Sequence, residues 1–171
     1  MTRRHSWRMA AILVIGLAAC GEAERYAPTA EAITESTSCA LDGMLLAHFP
    51  GPKAQVHFEG SEFPEYFCDT VEMFSVYLRP EQARLVRALY VQDMGKADWD
   101  APRGHWIDAR AAFYVVGSDA RGSMGPTIAS FAQLGDATNF SREHGGTVLR
   151  FDEVTPDMAV LDGGVLSDQK M

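Results

Sequence analysis

Phe67-Cys68-Asp69-Thr70-Val71-Glu72-Met73-Phe74 is the stretch of this 171-residue chain that decides the fold. Asp69 stands before a run of apolar residues at helical spacing, and Glu72 follows it by three positions. That arrangement is the capping-box pattern of a helix start. Pro80 ends the periodic run, because proline disrupts a helix interior. We therefore predict a short helix here, with Met73 on its buried face.

Short strands are predicted on both sides of this helix. Residues 44–47 and 55–58 are separated by Pro50-Gly51-Pro52, which is typical of a tight turn, and we interpret them as a β-hairpin. Residues 86–92 form the predicted strand after the helix.

The same order of elements recurs in the second half of the chain. Gly145-Gly146 follows the second helical run, as glycine commonly does at a helix C-terminus. The predicted elements are strands at 106–108, 112–116 and 147–151 and a helix at about 135–144.

The repeated order predicts an α+β protein of two similar small ββαβ domains after a flexible lipidated N-terminal tether. The first domain is predicted at residues 37–95 and the second at residues 105–154, with a linker between them. Residues 155–171 are predicted to be a loose C-terminal tail.

The first 19 residues have the composition of a secretory signal peptide. Arg3, Arg4 and Arg8 precede an apolar run at residues 9–17, which is too short to span a membrane. The run ends in Leu-Ala-Ala-Cys20, which resembles a bacterial lipobox and implies cleavage before Cys20 and lipidation of that residue. The alternative is an ordinary signal peptide followed by an incidental cysteine.

Residues 20–36 are small, acidic and poor in apolar side chains, so we predict a lipidated, flexible tether. The chain is then expected in the periplasm, anchored by lipid. Gly21, rather than aspartate, follows the lipidated cysteine and favours the outer membrane. The formal net charge of −8 argues against a nucleic-acid partner.

The chain is rich in sulfur-containing side chains, and it lacks the common sequence motifs of hydrolases, phosphate-binding sites and zinc sites. We therefore do not expect an enzyme. Thiolate and thioether ligands select Cu(I) over hard cations. The candidate ligands are Cys39, Met44, Cys68, Met94 and Met124.

Three local patterns support these candidates. In Cys39-Ala-Leu-Asp-Gly-Met44, the glycine would let a turn bring Met44 back beside Cys39. Met124 and Met94 each stand among small or polar residues that suit a loop. The alternatives are a Cys39–Cys68 disulfide, natural in an oxidising compartment, and methionines that only pack or lie exposed.

Taken together, these motifs resemble those of the NosL family of lipoproteins, which accompany nitrous oxide reductase. The matching stretches are Cys39-Ala-Leu-Asp-Gly-Met44, His48-Phe-Pro-Gly-Pro-Lys-Ala-Gln55, Phe67-Cys-Asp-Thr-Val-Glu-Met-Phe74, Trp106-Ile-Asp-Ala109, Ala112-Phe-Tyr-Val-Val-Gly-Ser118, Met124-Gly125 and Leu149-Arg-Phe-Asp-Glu153.

The resemblance implies two ββαβ domains, Cu(I) binding and delivery of copper towards the centres of nitrous oxide reductase. It also implies docking to a membrane transporter-like assembly complex. Many members of the family carry the motif Cys-x-x-Cys-Gly-Met. In this chain Asp42, directly before Gly43-Met44, stands in place of the second cysteine. A carboxylate is a poor Cu(I) ligand, so the methionines become the stronger candidates for the remaining copper ligands.

The leading hypothesis is a Cu(I) chaperone with Cys39 as thiolate donor and Met44 and Met124 as thioether donors. Cys68 or Met94 are substitute ligands. The competing hypothesis is a metal-free docking lipoprotein of the same system, stapled by a Cys39–Cys68 disulfide. The fold of the family has also been likened to that of organomercurial lyase, but a similar fold does not imply the same activity.

Overall fold

The structure is a computed structural model, and it describes residues 27–161. The predicted signal peptide, the lipidation site Cys20 and the last ten residues of the predicted tail lie outside the described residues. Within residues 27–161, none of the helices has both the length and the apolar character needed to cross a membrane.

The first sheet has four antiparallel strands in the order β2-β1-β3-β4. A single helix, α1, connects β2 to β3 and packs against the sheet. The elements are β1 Ala54–Phe58, β2 Glu65–Phe67, α1 Thr70–Tyr77, β3 Val86–Gln92 and β4 Trp106–Asp108.

The second sheet repeats this connectivity with three strands in the order β8-β5-β9, and helix α2 connects β8 to β9. In both sheets the first strand is central and its two successors flank it. The predicted α+β fold of two ββαβ units is therefore confirmed. The elements are β5 Phe113–Val116, the hairpin β6 Arg121–Gly122 and β7 Gly125–Pro126, β8 Ala129–Phe131, α2 Leu134–His144 and β9 Thr147–Arg150.

The larger apolar core joins the two units. Phe74 and Met73, on α1, are fully buried in it, as the spacing predicted. Tyr114, from the second sheet, packs edge-on against Phe74 with ring centroids 5.0 Å apart. A smaller core lies between α2 and the second sheet. The larger core is therefore shared by both units, and the smaller core lies beneath α2.

The predicted hairpin of residues 44–47 with 55–58 is wrong. Residues Leu46–His48 form a 3₁₀ turn, and β1 pairs instead with β2 and β3. All five residues of β1 are buried, including the polar Gln55 and His57. A central strand covered on both faces does not show the simple alternation on which the hairpin prediction relied.

Residues 106–108 form the predicted strand, but this strand joins the first sheet instead of the second. Trp106–Asp108 pairs with β3, whose Gln92 lies opposite Trp106. The linker turns back so that the Asp93 amide donates to the carbonyl of His105 (2.8 Å). The second unit consequently begins at β5 and not at residue 105.

The predicted flexible tether packs on the first sheet over its C-terminal part. The side chain of Gln55 forms two hydrogen bonds with the backbone of Glu31, at 2.8 and 3.0 Å. The Tyr90 hydroxyl donates to the carbonyl of Pro28 (2.8 Å), and Ile33 is buried. These contacts satisfy the buried amide of Gln55, which the acidic composition of the segment does not reveal.

The predicted loose tail is ordered at its start. Pro156–Met158 forms a 3₁₀ turn, and Val154 and Ala159 are buried in the larger core. The two small apolar side chains close that core at its edge, and so residues 155–161 belong to the fold.

Candidate metal centre

Helix α1 begins as the sequence predicts but uses only part of the capping box. Asp69 is the N-cap, and its Oδ1 accepts a hydrogen bond from the Val71 amide (3.0 Å). Glu72, expected to close the box, lies buried with its carboxyl group against two thiols. The helix start therefore presents a carboxyl group to the sulfur atoms.

The loop that carries Cys39 folds back on itself at a glycine. The Gly43 amide donates to the Cys39 carbonyl (3.0 Å), and the Cys39 amide donates to the Met44 carbonyl (2.8 Å). Gly43 has φ +79°, a conformation that glycine adopts without strain. The prediction that Gly43 would return Met44 to Cys39 is confirmed. Asp42 Oδ1 accepts from the Met44 amide (2.9 Å) and tightens the turn.

Two thiols and two carboxyl groups converge at this point. The Sγ of Cys39 lies 3.2 Å from Oε2 of Glu72, and the Sγ of Cys68 lies 3.3 Å from Oε1. Together with a carboxylate oxygen of Asp42, these ligand atoms all lie within 4.8 Å of one another. Asp42 is exposed and the other three side chains are buried, which gives the cluster one open side.

Cys39 and Cys68 are both free thiols. The disulfide considered as an alternative is therefore not formed in this structure. Both sulfur atoms stay available as soft donors.

The two thiols have pKa values displaced in opposite directions. A hydrogen bond offered by the adjacent Cys68 thiol lowers the pKa of Cys39 to about 6 against the opposing effect of burial, although both sulfur atoms also lie within hydrogen-bond distance of the Glu72 carboxyl group. The same hydrogen bond, followed by burial, raises the pKa of Cys68 far above its usual value. Cys39 is thus the thiolate and Cys68 the thiol that stabilises it.

Burial raises the pKa of Glu72 to about 8, and the hydrogen bond with Cys39 adds to the shift. At neutral pH the proton between these two groups therefore resides on the carboxyl oxygen. Cys39 and Glu72 together then carry the single negative charge of the thiolate.

A buried lysine lies behind the sulfur atoms. Lys53 is fully buried, and its Nζ donates to the carbonyls of Pro50 (2.7 Å) and Cys68 (3.0 Å). Burial lowers the pKa of Lys53 to about 8, although the nearby Asp69 opposes this. Burial likewise raises the pKa of Asp69 to about 7. The ammonium group of Lys53 therefore lies next to the backbone of Cys68, where it offsets negative charge at the site.

Met44 belongs to the apolar shell around the thiols. It is partly buried and packs, with Trp106, against the small cluster that contains Cys39 and Cys68. The indole Nε1 of Trp106 is buried and has no hydrogen-bond partner within the described residues. The structure therefore brings Met44 together with both cysteines.

Met124 lies on a hairpin of the second unit that approaches the site. It lies at the tip of β6–β7 and is 44% exposed. The preceding Ser123 donates its amide to Oδ2 of Asp69 (3.2 Å). The buried Ser123 hydroxyl has no hydrogen-bond partner among residues 27–161, but it is near enough to Cys68 to lower that thiol's pKa. The hairpin tip thus lies beside the cysteine pair.

Met94 lies elsewhere. It is buried in the smaller core with Val115, Phe131 and Ala137, and its amide donates to the carbonyl of Ser130 (2.9 Å). The structure does not bring this predicted ligand to the thiols. The polar sequence around Met94 suggested a loop, but the linker tucks the side chain under the second sheet.

Sequence reasoning missed the contribution of Glu72, Asp42 and Lys53. Glu72 follows Cys68 by four residues, a spacing that places side chains on one face of a helical turn and could have indicated the contact. Asp42, set aside as a poor Cu(I) ligand, stabilises the turn and also lies in the cluster. A fully buried lysine has no local sequence signal.

The donor set suits a soft monovalent cation. One thiolate, one adjacent thiol and the neighbouring thioether of Met44 favour Cu(I), whereas the two carboxyl groups alone would suit a harder ion. Because Glu72 is neutral at pH 7 and Asp42 is exposed, the sulfur atoms are the stronger donors for copper.

Comparison with known proteins agrees with this chemistry. The family model described as NosL matches residues 29–159. The chain belongs to the NosL family. It is 43% identical over 157 residues to the copper-binding lipoprotein NosL of Stutzerimonas stutzeri, which covers 90% of this chain and 80% of that protein. It is 37% identical over 163 residues to the copper-binding lipoprotein NosL of Achromobacter cycloclastes, covering 93% and 84% of the two chains.

A solved structure of the same family is also similar. The crystal structure of the copper chaperone NosL from Shewanella denitrificans shares 43% identity and superposes with a TM-score of 0.72, covering 75% of this chain and 97% of that chain. These NosL relatives are named for copper binding or as a chaperone, and none is named as an enzyme.

Proposed function

We propose that this NosL-family chain is a periplasmic Cu(I) chaperone, anchored to the membrane by lipid, that delivers copper for the assembly of the copper centres of nitrous oxide reductase. The observation that carries the proposal is the pair of free thiols, Cys39 and Cys68, in a cluster against which Met44 packs and which has one exposed member, Asp42.

The proposed ligands are the Cys39 thiolate and the thioethers of Met44 and Met124. One thiolate balances the single charge of Cu(I), so the proposed ligands and the metal together carry no net charge. Cys68 remains a thiol and donates to the Cys39 sulfur. Its role is then to keep Cys39 deprotonated at neutral pH.

Release of the copper requires access for a partner's ligand. Met124 is 44% exposed, and Leu41 and Leu45 beside the Cys39 turn are 39% and 36% exposed. An incoming sulfur or nitrogen ligand can bind Cu(I) from this side before Met124 or Met44 leaves. Copper therefore passes between proteins without being released into water.

The membrane anchor rests on Cys20 and on the relatives' names. The two curated relatives are named lipoproteins, and the lipobox-like sequence ends at Cys20. Several acyl chains give firm membrane attachment, since each buried CH₂ contributes about 0.8 kcal/mol. The outer membrane is the favoured destination because Gly21 follows the cysteine.

The proposed partners are nitrous oxide reductase and the membrane transporter-like complex that assembles it. The net charge of −8 suits a basic docking surface on either partner and would speed encounter.

An anaerobic titration tests copper binding. The full chain carrying Cys20→Ser, in detergent and reduced, is titrated with Cu(I) against a chromogenic Cu(I) chelator. We expect one equivalent of copper to be withdrawn from the chelator. The Cys20→Ser change removes the third cysteine thiol, so that the count refers to the folded site.

Transfer is tested separately by mixing the loaded chain with copper-free nitrous oxide reductase and following the absorption of its copper centres. Copper should appear in the reductase faster from the chaperone than from the same concentration of chelator-bound Cu(I). Equal rates would leave a binding protein without a delivery role. A chain that takes no copper from the chelator would instead favour the metal-free docking lipoprotein.

A further inference from the structure

The side chain of Asp69 connects the two units next to the thiols. It is fully buried, and its Oδ1 accepts from the Val71 amide (3.0 Å) and from the Thr127 hydroxyl (2.5 Å). Its Oδ2 accepts from the Ser123 amide (3.2 Å). Thr127 and Ser123 flank the tip of the β6–β7 hairpin, so one carboxylate contacts the helix start and the hairpin together.

Capping of α1 does not by itself require a carboxylate here. Serine, threonine or asparagine caps a helix about equally well with one oxygen. Burying an ionisable carboxyl group is costly, and burial indeed raises the pKa of Asp69 to about 7. Only the second oxygen reaches the Ser123 amide, and this contact accounts for the choice of aspartate.

The hairpin backbone is seated tightly against this carboxylate. A Cβ atom placed on Gly122 would overlap Oδ2 of Asp69, and a Cβ placed on Gly51 would lie 2.9 Å from the Cα of Gly122. The Trp99 indole donates to the carbonyl of Arg121 (3.1 Å) from the other side. Glycine at position 122 thus allows the hairpin to approach within hydrogen-bond distance of Asp69.

We infer that Asp69 is a positioning residue for the copper site, which holds the tip of the β6–β7 hairpin, with Met124 on it, next to Cys68. This inference rests on the proposed function, because it assigns a task to Asp69 only if Met124 is a copper ligand. The inter-unit contact through Asp69 then makes the second ββαβ unit part of the metal site, although both cysteines belong to the first half.

Asp69→Asn is the discriminating variant, since asparagine keeps one acceptor oxygen for the helix cap and loses the other. In the copper-free full chain carrying Cys20→Ser, hydrogen exchange at the Ser123 amide should accelerate by about tenfold or more. The Kd for Cu(I) should rise by about tenfold, as expected for one lost hydrogen bond to a charged group.

A double-mutant cycle separates positioning from general damage. In a Met124→Leu background, Asp69→Asn should raise the Kd for Cu(I) by less than about twofold, because the ligand that it positions is gone. Thr127→Val removes one hairpin contact and leaves the α1 cap intact, so it should reproduce the loss even if Asp69→Asn unfolds the chain.

A pair of glycine variants provides a control. Gly122→Ala should displace the hairpin and weaken Cu(I) binding, whereas Gly135→Ala, in α2 with no atom within 4 Å of the added carbon, should leave the Kd unchanged. The inference is overturned if wild type binds Cu(I) but the losses from Asp69→Asn and Met124→Leu multiply, or if Ser123 exchange is unaltered. A wild-type chain that binds no Cu(I) overturns the proposed function as well.

Discussion

The sulfur of Cys39 lies 3.2 Å from Oε2 of Glu72, although the two residues are 33 positions apart in the chain. The contact joins the turn that carries Met44 to the first turn of α1. Because the pKa of Cys39 is lowered to about 6 and that of Glu72 is raised to about 8, the pair retains one proton at neutral pH. The thiolate needed for copper is thus present before the metal arrives.

We predict that the reduced, copper-free Cys20→Ser chain gains thiolate absorbance near 240 nm with a midpoint at about pH 6, the lowered pKa of Cys39. The step should correspond to one thiolate, because the pKa of Cys68 is raised. Cys39→Ser should abolish it. A step that persists in Cys39→Ser, or a midpoint near the ordinary cysteine value, would contradict the assignment.

The two conservative replacements of Cys68 should behave differently. Serine retains a hydrogen-bond donor to the Cys39 sulfur, whereas alanine removes it. We expect Cys68→Ala to raise the pKa of Cys39 and to weaken Cu(I) binding at pH 7 by about tenfold, while Cys68→Ser stays within about threefold of wild type. Chelator competition measures the Kd for Cu(I) of each variant. Equal, large losses of affinity in the two variants would make Cys68 a direct copper ligand instead of a hydrogen-bond donor to Cys39.

Glu72→Gln should change how stability depends on pH. A carboxyl group whose folded pKa, about 8, exceeds its unfolded value of 4.5 contributes stability that is present below pH 4.5 and is lost as pH rises through 8. Glutamine lacks this dependence. The free energy of unfolding of Glu72→Gln should therefore rise relative to wild type between pH 5 and pH 9, as measured by urea denaturation.

The control for this experiment is Glu143→Gln, at an exposed position on α2. Its difference from wild type should stay nearly flat over the same pH range. A Glu72→Gln curve parallel to that of wild type would show that the carboxyl group is not buried against the thiols in solution.

Two methionine variants distinguish ligand from core. Met44→Leu removes a thioether beside the thiols and should weaken Cu(I) binding by about tenfold or more, equivalent to ~1.4 kcal/mol. Met94→Leu repacks the smaller core and should cost less than about 1.5 kcal/mol of stability. Its Cu(I) affinity should equal that of wild type. If Met94→Leu weakens binding as much as Met44→Leu does, the proposed ligand set is wrong.

The local features of the fold could be read from the sequence, because capping and periodicity are encoded within a few residues. Asp69 at the start of α1, Met73 on its buried face and the turn at Gly43 are of this kind. The two ββαβ units were predicted in kind, but each with one wrong strand, since residues 44–47 form no strand and Trp106–Asp108 joins the first sheet. The pairing of strands was harder to predict, because β1 is buried on both faces and Trp106–Asp108 pairs with β3 across a linker.

The candidate site shows the same division. Cys39 and Met44 are neighbours through a local turn, and the sequence indicates this directly. The contact of Cys39 with Glu72 and the approach of the Met124 hairpin through Ser123 depend on tertiary packing between segments 33 and 54 positions apart. Met94 does lie in a turn, as predicted, but its side chain is buried in the smaller core, and only tertiary packing determines where the side chain of a loop methionine goes.

The measurement that tests the central claim most directly is the anaerobic Cu(I) competition titration of Cys39→Ser beside its parent, the full chain carrying Cys20→Ser. The account predicts one tight site in the parent and a loss of at least about 100-fold in Cys39→Ser, equivalent to ~2.7 kcal/mol, with the fold retained by circular dichroism. An unchanged Kd in Cys39→Ser would contradict it, since copper would then be bound without the thiolate on which the site is built.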